Sequence, residues 1–330
     1  MADRKSRVYV LYTGGTLGMV PSEPGNPASP LVPADQAKLE SYLPKGLVKE
    51  LGVEYVLESL RDLKGAPVDP IDSSDVTSEH WRYMANAIAK VYEGDEGGPY
   101  DGFVILHGTD TMAYTSSALS FMLANLAKPV VITGSQLPIF HPRTDAVSNF
   151  VNALCVAGAI GGQPVIPEVI LVFAGTVLRG NRVRKMSSSA LLGFETPNYP
   201  SLGTIGEHIR IASEYLRPAT DNTVAPFYAR LDLESAVADV SLFPGIQPAQ
   251  LEAVLLNAGL RGAVLRTYGS GNAPSTPALL KVIEKAVAAG RIIVNITQCP
   301  QGMVEAGLYE ASSGLLERGV ISGLDLTPEA

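Results

Sequence analysis

Two strings in this chain place hydroxyls, a carboxylate and flexible backbone at the ends of apolar runs. Thr13-Gly14-Gly15-Thr16 follows Val8-Tyr9-Val10-Leu11-Tyr12, and His107-Gly108-Thr109-Asp110-Thr111 follows Phe103-Val104-Ile105-Leu106. A threonine hydroxyl is a weak nucleophile until a neighbour takes its proton. Two such threonines, one of them beside an aspartate, point to hydroxyl-nucleophile chemistry with a charged orienting group. Lys185 is the remaining candidate for moving a proton. A lysine acts as a base only after losing its own proton, so it needs desolvation or other tuning. An aspartate partner would hold it in place while pulling its pKa upward. On sequence alone the reading of Lys185 as a surface residue is the stronger one.

Each string also has a plain structural reading. Thr13-Gly14-Gly15-Thr16 lacks the Gly-Lys-Ser/Thr ending of a P-loop and the spacing of a dinucleotide fingerprint. It serves as a tight strand-to-loop turn in which glycine accepts positive φ, or as a place where backbone approaches a small substrate and Thr16 is held forward. His107 and Asp110 stand at i, i+3, but a metal site needs more ligands, and His80, His141 and His208 do not cluster with them in sequence. Asp110 or Thr111 also suits a helix N-cap. A helix N-terminus with open N–H groups accommodates an anionic substrate or a developing oxyanion. No G-x-S-x-G string occurs, which argues against a nucleophile elbow. Ser135, in Thr133-Gly134-Ser135-Gln136, follows an apolar run on the same expected sheet edge and is expected to line the site through its backbone.

The elements that must position these residues are legible from periodicity. Strands are expected at 8–12, 103–106, 129–133 and 169–173, with helices at 79–92, 112–126 and 146–160 between them. Such alternation predicts parallel pairing with helices on the faces, and ligands bind at the carboxyl ends of such strands. The Pro-, Gly- and Ser-rich stretch 21–33 reads as a mobile lid or as a surface excursion. Periodicity fades around 213–230, with Pro218 and Pro226 breaking helices. Alternation resumes with strands at 236–243, 262–268 and 292–297 and helices at 248–257 and 277–289. The expected fold is therefore α/β, with a larger N-terminal parallel-sheet domain over 1–212, a linker over 213–235 and a smaller C-terminal α/β domain over 236–330. The last residues, Asp325 to Ala330, read as a helix opening, with Thr327 as cap and Pro328 at the first helical position, so a further helix packing on the second domain is expected.

With 330 residues, 46% hydrophobic and 18% charged, the chain is long enough for two cores and has the composition of a globular protein. A net charge of −8 leaves no basic surplus to neutralise phosphates, which argues against a nucleic-acid partner. The one dense basic stretch, Arg179 to Lys185, reads as a solvated loop. Two cysteines, Cys155 and Cys299, are no disulfide framework, suit a reducing compartment and are both expected to be buried and inert. No run approaches a spanning helix and no signal peptide is evident, so a cytoplasmic protein without membrane association is expected.

Taken together these strings resemble the bacterial-type L-asparaginase family, in its cytoplasmic type I branch. The resemblance runs through Thr13 to Thr16, Asp72-Ser73-Ser74-Asp75, His107 to Thr111, Thr133 to Gln136, Arg179-Gly180-Asn181-Arg182, Tyr268-Gly269-Ser270-Gly271-Asn272 and Ser322-Gly323-Leu324-Asp325, in that order. It implies hydrolysis of L-asparagine to L-aspartate and ammonia with no cofactor and no metal, in a homodimer or homotetramer. Carried over by motif, Thr16 resembles the primary nucleophile, and Thr109, Asp110 and Lys185 a second cluster that supports proton transfer. Gly15, Asp72, Ser73, Ser74 and Ser135 resemble the substrate-binding set, with Ser73 on the α-carboxylate and Asp110 on the α-ammonium. Asn272 would be contributed to the neighbouring subunit's site. The family's lid tyrosine has no counterpart in 17–33, and Tyr309 is the residue that resembles its replacement in the type I branch. Arg266 and Cys299 stand where that branch places an allosteric asparagine site, or else Arg266 pairs with a buried carboxylate and Cys299 packs in the core. The resemblance also leaves open a glutaminase-asparaginase, an asparaginase-like component of a transfer-RNA amidotransferase, or a catalytically silent amino-acid sensor.

Overall fold

The computed structural model describes residues 5–23, 26, 29–218, 220, 221, 223–305 and 310–330. The chain divides into two compact units, the first ending at Asp232 and the second beginning at Leu233. Tyr309 lies outside the described residues.

The first unit opens with β1 (Ser6–Tyr12), the hairpin β2 (Met19–Pro21) and β3 (Leu31–Pro33), the short helices α1 (Gln36–Glu40) and α2 (Lys45–Glu50), and β4 (Val53–Ser59). It continues with α3 (Ser78–Val91), β5 (Gly102–Leu106), α4 (Met112–Met122), β6 (Leu123–Ala124), β7 (Val130–Thr133), α5 (Ala146–Ala157) and β8 (Val169–Phe173). It closes with β9 (Thr176–Arg179), β10 (Arg184–Lys185), β11 (Phe194–Glu195), β12 (Gly203–Ile205), β13 (Ile209–Ile211) and β14 (Tyr228–Ala229). One eight-stranded sheet runs in the order β13-β12-β9-β8-β7-β5-β1-β4. From β4 to β8 its neighbours are parallel, and from β8 to β13 antiparallel.

The central strands are apolar along their whole length because both faces are covered, as parallel sheets require. Every residue of β5, β7 and β8 is buried. On one face Val104, Leu106 and Val131 form a core with Phe150, Ala153 and Leu154 of α5. Register decides where the chain can do chemistry. Tyr12 lies opposite Leu106, and Leu106 opposite Thr133. Three strands therefore end abreast, and the loops after them, starting at Thr13, His107 and Gly134, leave from one sheet edge.

Several expectations need correction. The helix expected at 112–126 stops at Met122, because β6 pairs antiparallel with β14 and Asn125 adopts φ 59°. The helix expected to reach 160 ends at Ala157, with Gly158 as cap. Part of the 21–33 stretch is hairpin, Met19 to Pro21 pairing with Leu31 to Pro33. The basic stretch is not a solvated loop: it comprises the end of β9, a 3-10 turn (Gly180–Arg182) and β10, and Arg179 is bonded to the buried Glu168. Cys155 is buried, but Cys299 is exposed.

The second unit is a four-stranded parallel sheet, β15 (Val237–Ser241), β16 (Gly262–Thr267), β17 (Ile292–Thr297) and β18 (Ile321–Ser322), in that order. Leu251 and Leu255 of α6 (Pro248–Leu255), and Leu279, Val282, Ile283 and Ala286 of α7 (Pro277–Ala288), form its core with Leu265 and Ile293. The helix α8 (Glu310–Leu316) precedes β18. Residues 327–330 form a single turn, with the Ala330 N–H donating to the Thr327 carbonyl. Among the described residues no helix is long and apolar enough to cross a membrane.

Candidate active site

The loop after β1 is seated by backbone bonds on both sides. Thr13 N–H and Oγ1 both donate to the Leu106 carbonyl, at 3.1 and 2.9 Å. Gly15 N–H donates to Ile71 O at 3.0 Å, and Ile71 N–H to Thr13 O at 2.9 Å. Gly15 sits at φ 84°, and a Cβ there would stand 2.2 Å from the Gly108 nitrogen. Only glycine allows both that conformation and that approach. Gly15, just before Thr16, thus lies against the His107–Gly108 peptide, and the two threonine loops form one structure. Thr16 itself opens a 3-10 turn (Thr16–Gly18) and is half-buried.

The 72–75 segment closes the third side. A Cβ on Gly108 would stand 2.4 Å from Ser73 Oγ. Asp110 N–H donates to Ser73 Oγ at 3.3 Å, and Thr111 Oγ1 to Ser73 O at 2.7 Å. The Ser73 oxygen is therefore an acceptor to the loop, which leaves its hydroxyl proton to donate. Asp72 caps the turn, accepting from the N–H and hydroxyl of the exposed Ser74.

Lys185 arrives from β10, whose pairing with β11 fixes it opposite Phe194. Its Nζ lies 2.9 Å from Thr109 Oγ1 and 2.6 Å from Asp110 Oδ1, with the lysine side chain 19% exposed and the aspartate 65%. The surface-lysine reading fails here. Thr109 is buried, and its hydroxyl faces Gln136 Oε1 at 3.4 Å. Gln136 was not singled out from the sequence, although it ends the Thr133 to Gln136 string. Ser135, expected to line the site, is fully buried and spends its hydroxyl on Leu137 O at 2.6 Å. Asp145 holds this turn, accepting from the Gln136 and Leu137 N–H groups and from Asn149 Nδ2. An Asp at the head of a helix, four residues before an Asn, was the sequence signal.

Behind the threonine loop lies a buried imidazole. The Gly108 carbonyl, 2.7 Å from His107 Nδ1, can only accept, so Nδ1 carries the proton. Nε2 then accepts from Thr115 Oγ1 at 2.9 Å, and Thr115 in turn accepts from Trp81 Nε1 at 2.9 Å. Full burial opposes a charge on this ring and pushes its pKa down to about 4. Burial also lowers the His80 imidazole.

In the second unit, Asn272 ends a turn in which its N–H and carbonyl both pair with Tyr268. Arg266 Nε lies 2.9 Å from Asp239 Oδ1, an exposed carboxylate rather than the buried one weighed for it from the sequence. Cys299 follows β17, with its N–H on Thr297 Oγ1.

Residues 7–217 match the family model for the asparaginase N-terminal domain, and residues 236–330 that of the glutaminase/asparaginase C-terminal domain. The chain belongs to the asparaginase family. It is 39% identical to L-asparaginase 1 of Escherichia coli over 99% of this chain and 90% of that protein. The crystal structure of L-asparaginase I from Vibrio cholerae superposes with a TM-score of 0.83 at 36% identity, over 99% of this chain and 90% of that one. The thermostable L-asparaginase from Thermococcus kodakarensis superposes with a TM-score of 0.82 at 32% identity, over 98% of this chain and 90% of that one. An asparaginase fold accounts for both halves of the architecture: a large, mainly parallel sheet and a smaller parallel one.

Proposed function

We propose that this chain hydrolyses the side-chain amide of L-asparagine to aspartate and ammonia through a threonine nucleophile. The observation that carries the reading is Lys185 bridging Thr109 Oγ1 and Asp110 Oδ1, in a loop packed against the one that bears Thr16. Asp110 Oδ2 receives the α-ammonium, and the Ser73 hydroxyl donates to the α-carboxylate. Asp72 and Ser74 fix the backbone around Ser73. Thr16 Oγ attacks the amide carbon, and its proton leaves as the C–O bond forms. Charge gathers on the amide oxygen, where loop N–H groups stabilise it. The C–N bond breaks and ammonia departs with the proton. Water, activated through the Thr109, Lys185 and Asp110 cluster, then cleaves the acyl-threonine ester and frees aspartate.

Tyr309 is assigned to activating Thr16, Asn272 to the site of a neighbouring subunit in a homodimer or homotetramer, and Arg266 with Cys299 to a regulatory asparagine site. The protein is assigned to the cytoplasm. The family membership and the intact set of polar side chains favour an enzyme over a silent sensor.

The test is ammonia release from asparagine and from glutamine, on the wild type, Thr16→Ala and Tyr309→Phe. Release from asparagine that disappears in Thr16→Ala supports the hydrolase and its nucleophile, and the glutamine rate sets specificity. One methylene more or less in the substrate is worth roughly 1–3 kcal/mol of discrimination. Undiminished turnover in Tyr309→Phe removes that tyrosine from the mechanism. A hyperbolic saturation curve removes the regulatory site. No release from either amide, with asparagine still bound, sinks the enzyme and favours the sensor.

A further inference from the structure

The first unit holds a cavity of about 400 Å³ that the proposed reaction does not use. It lies by Glu168 and Val169, where β8 begins, and by Ser120, near the end of α4. The threonine loops follow the carboxyl ends of β1 and β5, so this cavity is at the opposite edge of the sheet.

Its charge is unusual for a chain of net charge −8. Three arginines line it, Arg179, Arg217 and Arg230, and among the described residues Glu168 is the only lining carboxylate. Glu168 is already committed. Its two oxygens accept from Arg179 Nε at 2.6 Å and Nη2 at 2.8 Å, and from the Arg217 backbone N–H at 2.8 Å. That bidentate pair cancels one positive charge and makes a fixed wall. The other two guanidiniums keep their charge. Among the described residues Arg230 donates through Nε and Nη2 only to the neutral Tyr228 hydroxyl, at 3.3 and 2.8 Å. Among the described residues no carboxylate pairs with Arg217. Both residues have anchored backbones, Arg217 through Glu168 and Arg230 through its N–H on the Met122 carbonyl at 2.7 Å. Asn181 and Thr220 add neutral polar groups to the lining.

Two uncompensated guanidiniums over a concave wall concentrate positive potential, which draws multivalent anions. Guanidinium forks match phosphate and carboxylate oxygens. We propose that this cavity is a second binding site, for a small anion of two negative charges such as a phosphate or a dicarboxylate, held between Arg217 and Arg230. The site is independent of the amide chemistry, and its test reads binding rather than turnover.

Calorimetry of the intact protein, titrated with inorganic phosphate and separately with succinate, tests the proposal against sodium chloride of matched ionic strength. One saturable site is expected for at least one of the two anions, and the anion that saturates identifies the group recognised. Affinity is expected to fall about tenfold or more in Arg217→Ala and in Arg230→Ala, as loss of a charge-assisted fork requires. Both variants are expected to keep wild-type asparagine turnover and circular dichroism in anion-free buffer. Thr16→Ala is expected to bind the anion as the wild type does. Absence of saturable binding for both anions overturns the proposal. So does saturable binding that persists undiminished in both arginine variants, because the anion then sits elsewhere.

Discussion

Lys185 donates to Thr109 and Asp110 across a gap of more than seventy positions in the chain, and two separate roles meet in its one ammonium. It holds the Asp110 carboxylate, and in the proposed reaction it moves a proton through Thr109. Substitution separates the two. Lys185→Met is expected to lower kcat by about 10²–10⁴, the usual worth of a positioned acid–base group. Lys185→Arg keeps the charge but cannot release a proton at ordinary pH, so steady-state kinetics should find it nearly as impaired. Recovery of kcat in the arginine variant would reduce Lys185 to a charge clamp. The His107 ring makes a prediction about stability. Its folded pKa, about 4, is below the ordinary 6.5, so the folded state favours the neutral ring. That contribution is complete above about pH 6.5, is lost as pH falls from there to 4, and is constant below. It amounts to about 3 kcal/mol. Urea unfolding of the wild type and of His107→Gln across this range should differ in slope between pH 6.5 and 4 and run parallel above it.

At the scale of elements, the site depends on how closely the loops approach one another. Gly15 abuts Gly108, and Gly108 abuts Ser73, so three segments far apart in sequence share one small volume. A methyl group at Gly15 meets backbone, which cannot rotate away, and it also imposes a β-carbon at φ 84°. Gly15→Ala is therefore expected to cost about 1–3 kcal/mol in stability. It is also expected to lower kcat/KM by about 10² or more, since a displacement near 1 Å is worth that much in a positioned site. Thermal melts and initial rates on the purified variant check both. Element types followed from periodicity, whereas their ends did not. Of residues 123–126 only Asn125, which takes φ 59°, is of a type that ends helices, and it comes after the helix has already stopped at Met122. These residues leave the helix because Tyr228 and Ala229, about a hundred positions later, offer strand pairing to Leu123 and Ala124.

At the scale of the whole molecule, the proposed share of Asn272 in a neighbouring subunit's site predicts complementation. Thr16→Ala and Asn272→Ala should each be impaired alone. Denatured together and refolded as an equal mixture, they form hybrids in which one site draws Thr16 and Asn272 from the two unaltered halves. In a two-fold dimer this restores about a quarter of wild-type activity. Activity that stays at the level of the separate variants would show that the two residues do not act across subunits.

The sequence by itself determined the alternation of apolar strands and amphipathic helices, and so the α/β class and the parallel pairing. These follow from local periodicity and from glycine and proline, which act over a few residues. It also singled out Thr16, Thr109, Asp110 and Lys185 as chemically able. Only the tertiary structure decided which groups meet. Strand register brought the ends of β1, β5 and β7 abreast, the β10–β11 pair carried Lys185 to Thr109, and the burial of Ser135 left Gln136 to face the threonine. Cys299 came out exposed and Arg179 tied to Glu168 for the same reason. Burial and partnership are set by residues distant in the chain, and no local pattern encodes them.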